Sequence, residues 1–336
     1  MRARVIGAGV AGLCAAYALA RAGVEVELVE RHVSPGQGCS RFAGGMIAPW
    51  CELESAEPIV AELGQEGLAF WTQDLPVAVV AGSLVVAAPR ERAELIDFTR
   101  RTSHFERLDA DGVAALESDL AGRFDAALYF PQEAHLDPRA AMAALAQRLA
   151  GMENVAQHFG VAAEVRTPSP DWTIDCRGFA ARDALPGLRG VKGEMIVLRS
   201  PDVALARPVR MLHPRRPVYV VPRGEGLFMV GATMIENEER ARVTARSVVE
   251  LVNSAFAIHP AFAEAEIVEM GSDLRPAFSD NLPRLIRRGQ TIYINGLYRH
   301  GFLLAPALAR RVVEVVLHGA HFPEVFDADS GERAPA

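Results

Sequence analysis

ARVIGAGVAGLCAAYALARAG, Ala3 to Gly23, changes from strand to helix period at Gly7, and Gly23 stops the helix. VEVELVE, Val24 to Glu30, then reads as a second short strand with a carboxylate at its end. Strand, helix and strand together make a βαβ unit that starts at the first residues of the chain.

The turn inside that unit carries chemistry. Gly7-Ala8-Gly9-Val10-Ala11-Gly12 matches G-x-G-x-x-G, with an apolar strand before it and an Ala-rich helix after it. Glycine at the first position allows a tight turn, at the second lets a pyrophosphate approach the backbone, and at the third lets helix and strand pack closely. A diphosphate would lie at the helix N-terminus, where free N–H groups and the macrodipole favour negative charge. Glu30, 18 residues past Gly12, is placed to accept ribose hydroxyls. A bare glycine turn needs no ligand; strand, helix and terminal acid together favour dinucleotide binding, and NAD and FAD fit equally at this point.

Composition narrows the partners. The chain has 336 residues, 50% hydrophobic and 23% charged, which is the size of two domains and an ordinary globular balance. A formal net charge of -7 argues against nucleic acid or an anionic membrane, both of which attract basic surfaces. The four cysteines, Cys14, Cys39, Cys51 and Cys176, show no C-x-x-C spacing, so neither a metal site nor a disulfide framework is signalled, and a cytoplasmic location is expected. No signal peptide is expected from the opening residues, and the sequence contains no apolar run of about 20 residues.

Further along, helices are expected at about 57–75 and, with Asp137 as N-cap and Pro138 in its first position, at HLDPRAAMAALAQRLAG. PVAVVAG and SLVVAAP look like the arms of a hairpin, followed by a helix-rich segment to about Gly122. NVAQHFGVAAEV, WTIDC, VKGEMIVLRS, RPVYVVPRG and GLFMVGATM read as strands, 244–258 as a helix, and TIYING as a strand leading into the last helix. The final dozen residues are expected to fray. βαβ units thus lie at both ends with strand-rich material between, an order that fits a nucleotide domain with a second domain inserted into it.

CSRFAGGMIAPWCE, Cys39 to Glu52, places Ser40, Ala43, Gly44, Gly45 and Met46 where a backbone must pass close to something large and flat. With GAGVAG and Glu30, VKGEM, YVVPRG, VGATM, LRPAFSDNLP and NGLYRHGFLLAP, all in one order over nearly the whole chain, the sequence resembles the D-amino-acid oxidase family of flavoproteins. Within that family it is most similar to the glycine oxidases of thiamine biosynthesis. The resemblance implies an α/β fold: a Rossmann-like FAD-binding domain built from separated segments (1–75, 131–185 and 265–336) and an inserted antiparallel-sheet substrate domain (76–130 and 186–264). It implies FAD as cofactor, held by Gly7, Gly9, Gly12, Glu30, Arg31, Ser40, Ala43, Gly44, Gly45, Met46, Val161, Gly178, His300, Gly301, Phe302 and Leu303.

The same resemblance implies that Arg275 clamps a substrate carboxylate, with Arg299 a second basic residue near it, Tyr219 contributing its hydroxyl and Met234 an apolar wall. A guanidinium suits the first task because its planar fork matches a carboxylate bidentately. The alternatives are an ion pair of Arg275 with Asp273 or Asp280, and an ordinary strand aromatic at Tyr219. The implied reaction is oxidative deamination of a small amino acid by hydride transfer from the α-carbon to flavin N5, with oxygen returning as hydrogen peroxide. The amides of Gly301 to Leu304 would face the flavin O2 edge, and His300 is the weaker candidate. A homo-oligomer is implied as well. Sarcosine, a D-amino acid or proline remains open as substrate; a flavin-bearing scaffold and an NAD(P)-dependent dehydrogenase remain open as classes. Three departures stand out: a short segment between Val165 and Trp172, the charged Asp175-Cys176-Arg177-Gly178, and the lack of any cysteine after Cys176, which implies noncovalent FAD.

Overall fold

The computed structural model describes residues 1–162, 171–214, 217–239 and 242–328. The chain forms two compact units, one of Met1–Ala43, Arg139–Val191 and Leu274–Ala336, the other of Gly44–Pro138 and Lys192–Asp273.

The strands in chain order are β1 (Arg2–Ile6), β2 (Glu25–Glu30), β3 (Met46–Ile47), β4 (Ser83–Ala87), β5 (Glu106–Asp109), β6 (Ala126–Phe130), β7 (Ala134–His135), β8 (Val155–Phe159), β9 (Trp172–Asp175), β10 (Arg189–Arg199), β11 (Val209–Leu212), β12 (Val218–Pro222), β13 (Leu227–Gly231), β14 (Glu266–Ala277), β15 (Arg284–Arg288), β16 (Thr291–Asn295) and β17 (Phe326–Ala328). The helices are α1 (Val10–Arg21), α2 (Pro58–Ala69), α3 (Arg92–Phe98), α4 (Ala110–Leu116), α5 (Pro138–Ala150), α6 (Ala245–Ile258) and α7 (Gly301–His318). Among the described residues no helix is long and apolar enough to cross a membrane.

The first unit is built on a sheet of order β17-β15-β16-β9-β1-β2-β8. Its middle is parallel: β1 pairs with β2 and β9, β2 with β8, and β9 with β16. The chain leaves β1 toward β2 on one side and finds β9 on the other, so the loop after β1 sits where strand order reverses. That is the place where open α/β sheets bind ligands. α1 carries Leu13, Ala15, Ala16 and Leu19 fully buried, and α7 packs against it.

The second unit is built on a sheet of order β14-β10-β13-β12-β11-β4-β6-β5, in which β10–β13, β13–β12, β12–β11, β4–β6 and β6–β5 pair antiparallel and β11–β4 pairs parallel. Strand alternation sorts its residues onto two cores. Leu84 and Val86 join Val218, Val220 and α6's Leu251 and Ala255, while Val85 and Ala87 join Trp50, Cys51, Phe98 and Phe130.

The structure corrects several expectations. Residues 76–82 form no arm of a hairpin: β4 pairs with β6 and β11, and Val79 makes only an isolated bridge to His135. The stretch 44–75, expected with the nucleotide domain, belongs to the second unit. The cause is local: β3 pairs with β7, and Trp50 and Cys51 pack into that unit's core. Phe326–Ala328, expected to fray, adds a parallel strand to β15. Most of the short segment between Val165 and Trp172 lies outside the described residues.

Candidate functional site

In the first unit the fingerprint loop is shaped by its neighbours. Gly7 adopts φ 99°, and a side chain there would meet the Cys176 carbonyl oxygen at 2.7 Å. A Cβ on Gly12 would stand 1.8 Å from the Gly7 oxygen, so the third glycine is demanded by helix–loop packing. Gly9 caps α1 without a side-chain bond, no acid stands in the first turn, and Val10 N–H donates to Ser40 Oγ at 3.2 Å. This helix end therefore presents amides without a competing carboxylate.

Glu30 is buried at 8% exposure. Its Oε2 accepts from Ala8 N–H at 2.7 Å and its Oε1 from His32 N–H at 2.9 Å. Each carboxylate oxygen keeps a further lone pair for a hydroxyl. Val161 N–H donates to the Glu30 carbonyl, which brings Val161 beside the same strand end, while Arg31 is exposed with Nε donating to His32 Nε2.

The charged run at the end of β9 closes on itself. Asp175 is fully buried, and Arg177 donates to it through Nε at 2.9 Å and through its backbone N–H at 3.0 Å. Arg177 then pairs with Asp183 at 2.9 Å. Burial pushes the Asp175 carboxyl up, and the Arg177 bonds oppose that rise. Local neutralisation thus lets the charged run sit at a buried strand end, and Gly178 takes a left-handed φ of 59° beside Pro276.

Arg275 and Arg299 belong to adjoining segments of this unit. Tyr298 N–H donates to the Pro276 carbonyl at 3.0 Å, tying the residue after Arg275 to the residue before Arg299. Both arginines are half-buried, Asp280 pairs with Arg284 at 2.7 Å, and Arg299 Nε donates to His300 Nε2 at 3.2 Å. His300 is the residue before α7, which starts at Gly301 without an acid in its first turn; Phe302 and Leu303 are buried. Gly301 lies against Val10 of α1, so these two helix starts are neighbours.

In the second unit Tyr219 is held between two glycines. A Cβ on Gly44 would meet its ring at 2.5 Å, and a Cβ on Gly231 would meet its hydroxyl at 3.1 Å. The space at Gly44, read from sequence as clearance for a flat cofactor, is filled by this flat side chain. Gly45, at φ 72°, lies so close to the Leu136 carbonyl that a Cβ would approach it to 2.1 Å. Met46 pairs with His135, and Ala43 closes the preceding turn by donating to the Ser40 carbonyl.

Met234 is exposed and lines a cavity of about 240 Å³ with Thr233, Ile235 and α6's Arg246 and Glu250. The segment is anchored by two backbone bonds between Lys192 and Ile235 and by Thr233, which donates through Oγ1 to Glu194. Lys192 and Glu194, both buried, pair at 3.0 Å.

Sequence reasoning missed Arg223, although YVVPRG contains it. Its Nη1 donates to the Leu136 carbonyl at 2.6 Å and its Nη2 to the Gly44 carbonyl at 2.7 Å. It stands four residues after Tyr219, and the period of two along an extended strand was the available signal.

Comparison with known proteins decides the family. Residues 2–315 match the family model described as FAD dependent oxidoreductase. The chain belongs to that family. It is 53% identical to a putative thiamine biosynthesis oxidoreductase ThiO of Rhizobium etli, over 96% of this chain and 99% of the relative. It is 27% identical to a glycine oxidase of Geobacillus kaustophilus, over 93% and 92% of the two chains. Among solved structures it superposes on a glycine oxidase of Bacillus cereus with a TM-score of 0.82 at 21% identity, covering 95% and 96%. An iminodiacetate oxidase of Chelativorans gives 0.79 at 26% identity over 95% and 96%. The α/β fold and an FAD-dependent oxidoreductase activity therefore stand.

Proposed function

We propose that the chain oxidises glycine or another small amino acid at its α-carbon, giving the imine, which water converts to the 2-oxo acid (glyoxylate from glycine) and ammonia, with oxygen reduced to hydrogen peroxide. The observation that carries this reading is the 53% identity to ThiO along nearly the full length of both chains. It points to the thiazole part of thiamine as the destination of the product.

The residues present fit FAD: two glycines kept clear by backbone approach, a buried carboxylate at the end of β2, and an α1 N-terminus without an acid. Bound FAD supplies hydride acceptance and reoxidation by oxygen. Gly7, Gly9, Gly12 and Ser40 would hold its diphosphate, Glu30 the ribose, with Arg31, Val161, Gly178 and the segments 43–46 and 300–303 as further contacts. Relatives with covalently bound flavin carry a cysteine near the position of Arg275 and this chain has none after Cys176, so the reading takes FAD as noncovalent, and acid precipitation should release it.

Arg275 and Arg299 would bind the substrate carboxylate, Tyr219 would donate its hydroxyl to it, and Met234 would limit side-chain size. The amine must be neutral for its α-hydrogen to leave as hydride, and carboxylate binding fixes which hydrogen faces the acceptor. We assign a homo-oligomeric state and a cytoplasmic location to the same reading. A peroxide-coupled assay over glycine, sarcosine and small D-amino acids tests it. Arg275→Ala should lose about 2 to 5 kcal/mol in kcat/KM for the preferred substrate. Unchanged kinetics would remove Arg275 from the site.

A further inference from the structure

We propose that Arg223 is a positioning residue that locks the Gly44–Met46 segment against Tyr219, so that the tyrosine hydroxyl and the Gly44–Met46 backbone keep one fixed register. The inference rests on the proposed role of Tyr219 in carboxylate binding.

Tyr219 and Arg223 are both even steps along the same stretch of extended chain, so their side chains project to one side. Both grip the same residue. The Tyr219 ring fills the space where Gly44 lacks a side chain, and Arg223 Nη2 donates to the Gly44 carbonyl. Through Nη1 the same guanidinium holds the Leu136 carbonyl, and its Nε lies 3.7 Å from the Asp137 carboxylate. The two held segments are already paired: Leu136 N–H donates to the Gly45 carbonyl at 2.9 Å, and Met46 faces His135.

Arg223 therefore closes a ring of contacts running from Tyr219 to Gly44, across β3 and β7, and back through the guanidinium to the start of the β12–β13 turn. Its own backbone is fixed by Arg223 N–H donating to the Leu227 carbonyl at 2.8 Å. The side chain is only 10% exposed, so these bonds are made with little competition from water. A planar fork can reach two carbonyls on different strands at once, and a lysine ammonium on its flexible stem cannot reproduce that span. Arginine is thus required by geometry, where charge alone would accept lysine.

The test compares the wild-type holoenzyme with Arg223→Lys, using acetate, which is glycine without its amine, as the probe. Acetate affinity is read from the shift of the visible flavin spectrum, and backbone opening from amide hydrogen exchange. Arg223→Lys should exchange faster across residues 44–47 and 134–137, with β4 unchanged. It should bind acetate about tenfold more weakly and raise the KM for glycine by a similar factor while kcat holds, because ground-state and transition-state binding are lost together. Wild-type exchange in 44–47 together with wild-type acetate affinity would overturn the proposal. If Arg223→Lys does not fold, Gly44→Ala keeps Arg223 and displaces Tyr219 directly; a folded Gly44→Ala with wild-type acetate affinity would overturn it as well. Should acetate leave the wild-type spectrum unmoved, the carboxylate site is wrong, and hydrogen exchange alone then decides whether Arg223 holds the segment.

Discussion

The glycines Gly7 and Gly12 of the amino-terminal loop and Gly44 of the second unit are kept small for different occupants. At Gly7 and Gly12 the closest crowding atoms are carbonyl oxygens of Cys176 and of the loop itself, so at these two glycines backbone sets the clearance. At Gly44 the crowding atoms belong to the Tyr219 ring, and the neighbouring carbonyl is tied by the Arg223 side chain. Clearance set by backbone cannot be relieved by moving one side chain. A loop set by side chains can be tuned, and it can be moved by one substitution.

The largest expected effect follows from that contrast. Gly12→Ala places a Cβ on a carbonyl oxygen that cannot step aside, so the purified variant should lose most of its FAD and unfold at least several degrees lower, which absorbance and a thermal scan would show. A yellow, equally stable Gly12→Ala would mean that helix and loop are less tightly packed than described. Gly44→Ala meets a ring that can rotate away. It should keep its FAD and its fold, and raise the KM for glycine about tenfold, measured by the peroxide assay.

The last expected effect is a change of pH dependence, confined to the side-chain-built region. Glu133 is buried and accepts from the backbone N–H groups of Trp50 and Cys51 at 2.9 and 2.8 Å. Burial raises its carboxyl to about 7 from 4.5. Its contribution to stability is therefore full below pH 4.5 and fades as pH rises through 7. Two residues on, burial and the charges of Arg223 and Arg207 lower His135 to about 4 from 6.5. That contribution is full above pH 6.5 and fades as pH falls through 4. The two slopes oppose each other. Glu133→Gln should leave the histidine slope uncompensated, so that stability rises by about 1 to 3 kcal/mol between pH 4.5 and 6.5 relative to wild type, by denaturant titration. Parallel pH profiles for the two proteins would show that Glu133 titrates normally.

How much was legible in the sequence depends on the same distinction. The βαβ unit is written within Ala3 to Glu30, because period, glycine spacing and terminal acid all act over short range. The Glu30 bond to Ala8 spans only 22 residues. The bond from Arg223 to Gly44 spans 179, and no local pattern announces it. The false hairpin at 76–82 has the same origin: PVAVVAG alternates as a strand should, yet both neighbours of β4 come from later in the chain. The boundary expected near Leu75 failed because helical period in α2 says nothing about which core will receive Trp50 and Cys51.

The most direct test of the proposed reaction is anaerobic mixing of the purified holoenzyme with glycine, followed in the visible flavin band. The account predicts bleaching of that band at a rate matching turnover, with colour and peroxide returning when oxygen is admitted. A band unmoved by glycine, sarcosine and small D-amino acids alike would contradict it.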